Sequence, residues 1–151
     1  MSRTTVAALL LMAIGAWAQF GRVIPETTAK IDRPSESLVA SVAPIQTILA
    51  GQKEDGRKIA AFYLSLANTI ARDQSKIIQT AADLREINRR AGLLMFQQTN
   101  IKGKYPTLTP AIEKVLADQV GLENTPLDDV RRAKAVEAFR AIAWAAGGGH
   151  A

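Results

Sequence analysis

From Leu38 onward the apolar residues of this chain recur at helical intervals. Leu38, Val42, Ile45, Ile48 and Leu49 share one face. Pro44 lies inside that run and has no N–H to give. The pattern therefore predicts either a short helix beginning near it or a longer one that kinks, closed by Gly51. After Lys53-Glu54-Asp55-Gly56, a second stripe runs through Ile59, Phe62, Tyr63, Leu66 and Ile70 and stops at Arg72-Asp73-Gln74-Ser75. Ile77 and Ile78 form a brief apolar link, read as a short strand or a helical turn plugging one end of the core.

The third segment carries its own start signal. Thr80-Ala-Ala-Asp83 fits a capping box, in which a hydroxyl accepts an orphan N–H and the acid suits the positive helix end. Leu84, Ile87, Ala91, Leu94 and Met95 are its expected buried face. A fourth helix is predicted from Thr109-Pro110, with Ile112, Val115, Leu116 and Val120 inward and Gly121 as its stop. Thr125-Pro126-Leu127-Asp128 reads as a second start of the same kind. It is followed by Val130, Ala133, Val136, Phe139, Ile142, Ala143 and Trp144, and the last helix ends at Gly147–Gly149. The two Thr-Pro starts share capping chemistry and no further register. Nowhere does period-2 alternation persist, so the fold class expected is all-α: a compact bundle of four to five helices over residues 38–146.

The first residues, MSRTTVAALLLMAIGAWAQF, have a different organisation. Arg3 gives a positive start, Val6 to Ile14 an apolar run, and Ala16-Trp17-Ala18 the small-x-small pattern read by a signal peptidase. Residues 1–18 are therefore expected to be a signal peptide, cut after Ala18 to leave Gln19 first. The apolar stretch before Gln19 is shorter than the roughly 20 residues that a membrane span needs. An uncut N-terminal anchor and an ordinary helix of the fold are the alternatives. Residues 19–37 mix Pro, Thr, Ser and charge without a period and read as an irregular arm; residues 147–151 read as a flexible Gly-rich tail. The expected location is outside the cytoplasm, periplasmic or secreted.

Composition narrows the chemistry. The 151-residue chain has 19 basic and 14 acidic residues, hence a net charge of +5, which becomes +4 if Arg3 leaves with the signal. That balance, without a dense basic block, permits an acidic partner and gives no expectation of nucleic-acid binding. There is no cysteine, which removes disulfides, thiol catalysis and thiolate metal sites. The single histidine, His150, follows three glycines and reads as part of a solvated tail. No nucleophile elbow, zinc-protease, phosphate-loop or calcium-loop pattern occurs, and no cofactor is expected.

One cluster stands out. Arg85 and Arg89 share a helix face, and Lys102, Lys104 and Tyr105 follow in the loop QQTNIKGKYPTLTP. Together they form a candidate anion or partner site, for an acidic protein, a polymer or a small anion. The plainer reading is a solvated face whose arginines pair with Glu86, and a Tyr105 ring that caps the core. Arg131, Arg132 and Lys134 are expected to pair within their own helix with Asp128 and Asp129. The functional expectation is a non-catalytic exported bundle with a binding or assembly role. Its rivals are a cofactor-free envelope hydrolase using acids such as Glu54, Glu86 or Glu113, and membrane display of the bundle through an uncut N-terminus.

Overall fold

The computed structural model describes residues 31–122 and 124–149. The signal-like segment, with Ala16, Ala18 and Gln19, lies outside the described residues, as do His150 and most of the arm. Among the described residues there are five helices: α1 (Glu36–Ile48), α2 (Lys53–Ala71), α3 (Ala81–Gln98), α4 (Leu108–Val120) and α5 (Asp129–Ala146). The all-α expectation holds, and no helix among the described residues is long and apolar enough to cross a membrane.

α5 is the centre of the bundle. Its backbone runs close to α1, α2 and α4, and α1 also meets α4. Buried positions lie all around its C-terminal half, from Ala138 and Phe139 to the unbroken run Ala141–Ala146. A helix buried on every side needs small residues where neighbours cross closely. Alanine supplies most of them, and Gly56 of α2 supplies the tightest: a Cβ there would lie 2.2 Å from the Ala146 carbonyl oxygen. Phe139 stacks on Tyr63 at 5.9 Å between ring centres, and Tyr63 meets Phe62 edge-on at 5.0 Å. Burying each such ring stabilises the fold by about 1.5–3 kcal/mol.

α1 runs uninterrupted through Pro44. Pro44 and Ala40 are both exposed, so the Ala40 carbonyl that loses its helical donor faces solvent. α3 begins as expected: Thr80 Oγ1 accepts from Asp83 N at 3.2 Å, and Asp83 Oδ2 accepts from Thr80 N at 3.2 Å.

Several sequence expectations are corrected. α4 starts at Leu108 rather than after Thr109, because Pro106 already closes a turn in which Leu108 N donates to Tyr105 O at 3.1 Å. Pro110 then falls in the first turn, where N–H groups have no helical partner to lose. α5 starts after Asp128, whose carboxylate accepts from Arg131 N at 2.8 Å. Residues 125–127 are instead extended against the segment before α3: Ala81 N donates to Thr125 O at 2.9 Å and Leu127 N to Gln79 O at 2.8 Å. Leu94 and Val130, assigned to buried faces, are 38% and 65% exposed; Asn88 and Gly92 take the inward positions on α3.

The link after α2 is neither a named strand nor a helical turn. Asp73 ties it down, its carboxylate accepting from Ile77 N, Ile78 N and Arg132 of α5. Arg132 thus leaves its expected helix partners for Asp73, and Asp129 pairs with Lys76 at 2.7 Å. At the far end of α5 the glycines form a hydrogen-bonded cap: Gly149 N donates to Trp144 O at 2.9 Å, and Gly148 takes the left-handed conformation at φ 80°. Gln46 of α1 holds the Gly149 carbonyl at 2.9 Å. Arg33, at the end of the arm, lies 5.7 Å over the Trp144 ring.

Candidate functional site

The loop between α3 and α4 is built from three successive devices. α3 ends in a Schellman motif: Ile101 N donates to Phe96 O at 2.9 Å, Asn100 N to Gln97 O at 3.4 Å, and Asn100 occupies the left-handed position at φ 60°. Asparagine tolerates that conformation better than most residues. The motif brings Ile101 back against Phe96. Next, Lys104 N bonds to Ile101 O at 2.9 Å, with Gly103 at φ 77° in the position that a type II turn reserves for glycine. Tyr105-Pro106-Thr107-Leu108 then makes the turn into α4, with proline at its favoured second position.

These turns enclose a cleft of about 200 Å³. Leu93 and Phe96 of α3, Ile101 and Tyr105 of the loop, and Leu108 of α4 form its apolar walls, and Lys102 stands at the edge. Beside it, Leu93 and Leu94 are 50% and 38% exposed. The sequence held one sign of this. Leu93, Leu94, Met95 and Phe96 are four consecutive apolar residues, and one helix face cannot bury four in a row.

The candidate residues separate into two groups. Arg85 is half-buried and turned inward, its Nε and NH2 both 3.2 Å from Glu113 Oε2. Glu113 Oε1 accepts from Asn88 Nδ2 at 3.3 Å, and Asn88 Oδ1 accepts from the Tyr63 hydroxyl at 3.0 Å. A polar chain therefore runs from the rim of α3 and α4 to the centre of the core. Burial, then the Glu113 charge, push the Tyr63 phenol well above its ordinary pKa.

Lys104 and Tyr105 are also engaged with the scaffold, Tyr105 part-buried and Lys104 at the exposed surface. Lys104 Nζ lies 2.7 Å from Asp55 Oδ2, and the Tyr105 hydroxyl donates to the same oxygen. Asp55 belongs to the first turn of α2, so this contact fastens the loop to the helix beneath it. Burial opposes ionisation of Asp55, but hydrogen bonds from Lys104 and Tyr105 and the charges of Lys104 and Lys58 outweigh it, and its pKa is lowered. The Tyr105 phenol is raised by burial and by its bond to Asp55.

Arg89 and Lys102 remain outward. Both are exposed, and among the described residues neither forms an ion pair. Arg89 stands one helical turn before Leu93, and Lys102 edges the cleft. Arg90, their neighbour, is engaged with Glu86 at 3.0 Å. The sequence grouped five residues; the structure divides them into Arg89 and Lys102 facing solvent, and Arg85, Lys104 and Tyr105 holding the scaffold.

Each acid of the hydrolase alternative is engaged by a cation. Glu54 pairs with Lys58 at 3.4 Å, Glu86 with Arg90, and Glu113 with Arg85, each on its own helix. Among the described residues no group of three or more His, Cys, Asp and Glu side chains is placed to hold a metal ion. No protein-family model, curated protein or solved structure matches this chain.

Proposed function

We propose that this chain is an exported, non-catalytic binding or assembly component whose partner surface is the C-terminal end of α3 with the loop that follows. One observation carries the reading: two exposed leucines and an apolar cleft lie beside Arg89 and Lys102, cations with no ionic partner among the described residues. Exposed apolar side chains next to unpaired charge favour a partner that is acidic and partly apolar. Arg85, Lys104 and Tyr105 serve this surface by fixing its two sides, to Glu113 and Asp55 respectively. Export rests on the three-part pattern of residues 1–18.

The test is the double charge reversal Arg89→Glu with Lys102→Glu. Both side chains are exposed and, among the described residues, without ionic partners, so helicity and melting temperature are expected to stay at wild-type values. Wild-type and variant protein are immobilised side by side against the envelope fraction. A specific acidic partner should be retained by wild type, released by salt, and bound roughly tenfold or more weakly by the variant. Equal retention by both refutes the surface.

A further inference from the structure

The cleft beneath the α3–α4 loop is the size of one side chain. An apolar cavity of about 150 Å³ accommodates a benzene ring, whereas sites for drug-sized ligands begin at about 300 Å³. At about 200 Å³ this cleft falls between the two. It is too small to enclose a drug-sized ligand and large enough for a leucine or phenylalanine side chain delivered from outside.

The walls are held before anything binds. The Schellman motif fixes Ile101 against Phe96, the type II turn fixes Lys102 and Gly103, and Asp55 holds Tyr105. A pocket with fixed walls spares its occupant the cost of ordering them. Among the described lining residues the charge is positive: Lys102 stands at the edge, Arg89 is one turn along α3 from Leu93, and the nearby Asp55 is engaged by Lys104 and Tyr105.

We propose that this cleft is an anchor pocket for one large apolar side chain within an acidic segment of a partner polypeptide. The inference rests on the binding-surface reading above and sharpens it. The buried side chain supplies the affinity, as a central hot spot does, while Arg89 and Lys102 meet carboxylates on either side of it. The partner is thus a peptide segment; an acidic polymer without apolar side chains satisfies the cations and leaves the pocket empty.

The test is an NMR titration of the isotope-labelled exported protein with two synthetic peptides, acetyl-Glu-Asp-Leu-Asp-Glu-amide and the same peptide with alanine at its centre. The leucine peptide is expected to shift the amides of Phe96, Ile101, Lys102 and Gly103 and to bind about tenfold more tightly than the alanine peptide. In Thr109→Phe, which fills the cleft from an exposed position on α4, the preference for leucine should vanish with no loss of melting temperature. If both peptides bind equally and shift residues around Arg89 and Lys102, the pocket is refuted and the charged surface stands. If neither peptide shifts these amides, both readings fall. A leucine preference that persists in Thr109→Phe places the side chain elsewhere and overturns the pocket.

Discussion

Replacing Asp73 by alanine should be among the most damaging single changes in the bundle. The Asp73 side chain is 2% exposed and its partner Arg132 is 12% exposed, so solvent can replace little of what is lost. The carboxylate accepts from Ile77 N at 3.2 Å, Ile78 N at 3.2 Å, Ser75 Oγ at 3.1 Å and Arg132 NH1 at 3.1 Å. Arg132 Nε is buried and already has no partner among the described residues, and NH2 donates to Ile78 O at 2.7 Å. Removing the carboxylate therefore strands a buried guanidinium together with the amide of Ile78. Breaking a buried pair from one side costs about 3–5 kcal/mol, a large share of the roughly 5–15 kcal/mol that stabilises a typical domain.

Urea unfolding followed by circular dichroism should show the midpoint falling by on the order of 2 M. Arg132→Met should cost less, because Asp73 keeps its three neutral donors. The double variant should be more stable than the sum of the two losses implies, with an interaction of at least about 1.5 kcal/mol. A loss below about 1 kcal/mol for Asp73→Ala, or strict additivity in the cycle, refutes the clamp. The pH dependence has a definite sign. Burial acts to raise the Asp73 pKa, but the Ile78 and Ile77 amides, the Ser75 hydroxyl and the Arg132 charge outweigh it and leave it lowered. A group with a depressed folded pKa contributes its stability above the unfolded value of about 3.9 and loses it as pH falls through the folded value. Wild-type stability should therefore hold from neutral pH down to about 4 and drop below that, and Asp73→Ala should lack this part of the acid transition.

Gly56→Ala tests the crossing of α2 over α5. Its methyl would meet the Ala146 carbonyl at 2.2 Å, so a loss of about 1–3 kcal/mol and a lower melting temperature are expected; wild-type stability would refute the close approach. The chain's two tyrosines, Tyr63 and Tyr105, both have raised pKa values. Alkaline absorbance titration should find less than half of the phenol ionised at about pH 10, where free tyrosine is about half ionised; half-ionisation in the folded protein would contradict the placement of the two rings. If residues 1–18 act as a signal, mass spectrometry of exported protein should find a chain beginning at Gln19.

What the sequence made legible was local. The stripes of α2 and α4, the Thr80–Asp83 capping box and the glycine stops at Gly51 and Gly121 all act within a turn or two of their own residues. Expectations failed where a distant partner took over. Thr125-Pro126 resembles a helix start, but its backbone pairs with Gln79–Ala81, which no periodicity reveals. Arg132 has acids one turn away and instead crosses to Asp73. In the loop, Lys102 and Lys104 are equivalent by composition, and only Asp55, 49 residues before Lys104, distinguishes the free cation from the tethered one. Counting intervals puts Leu94 inside, whereas Asn88 takes the inward position and reaches Tyr63 and Glu113.

The central place of α5 has a consequence for how the protein comes into being. Chains are made from the N-terminus, and α1, α2 and α4 all emerge before the helix they pack against. Until residues 129–146 arrive, α2 lacks the helix along which its backbone runs most closely. The bundle therefore cannot close until residues 129–146 have been made, and contacts of long sequence separation then form together. A nascent chain that cannot mature early stays threadable for as long as it is being made. If residues 1–18 act as a signal, that delay would suit passage through a translocation channel.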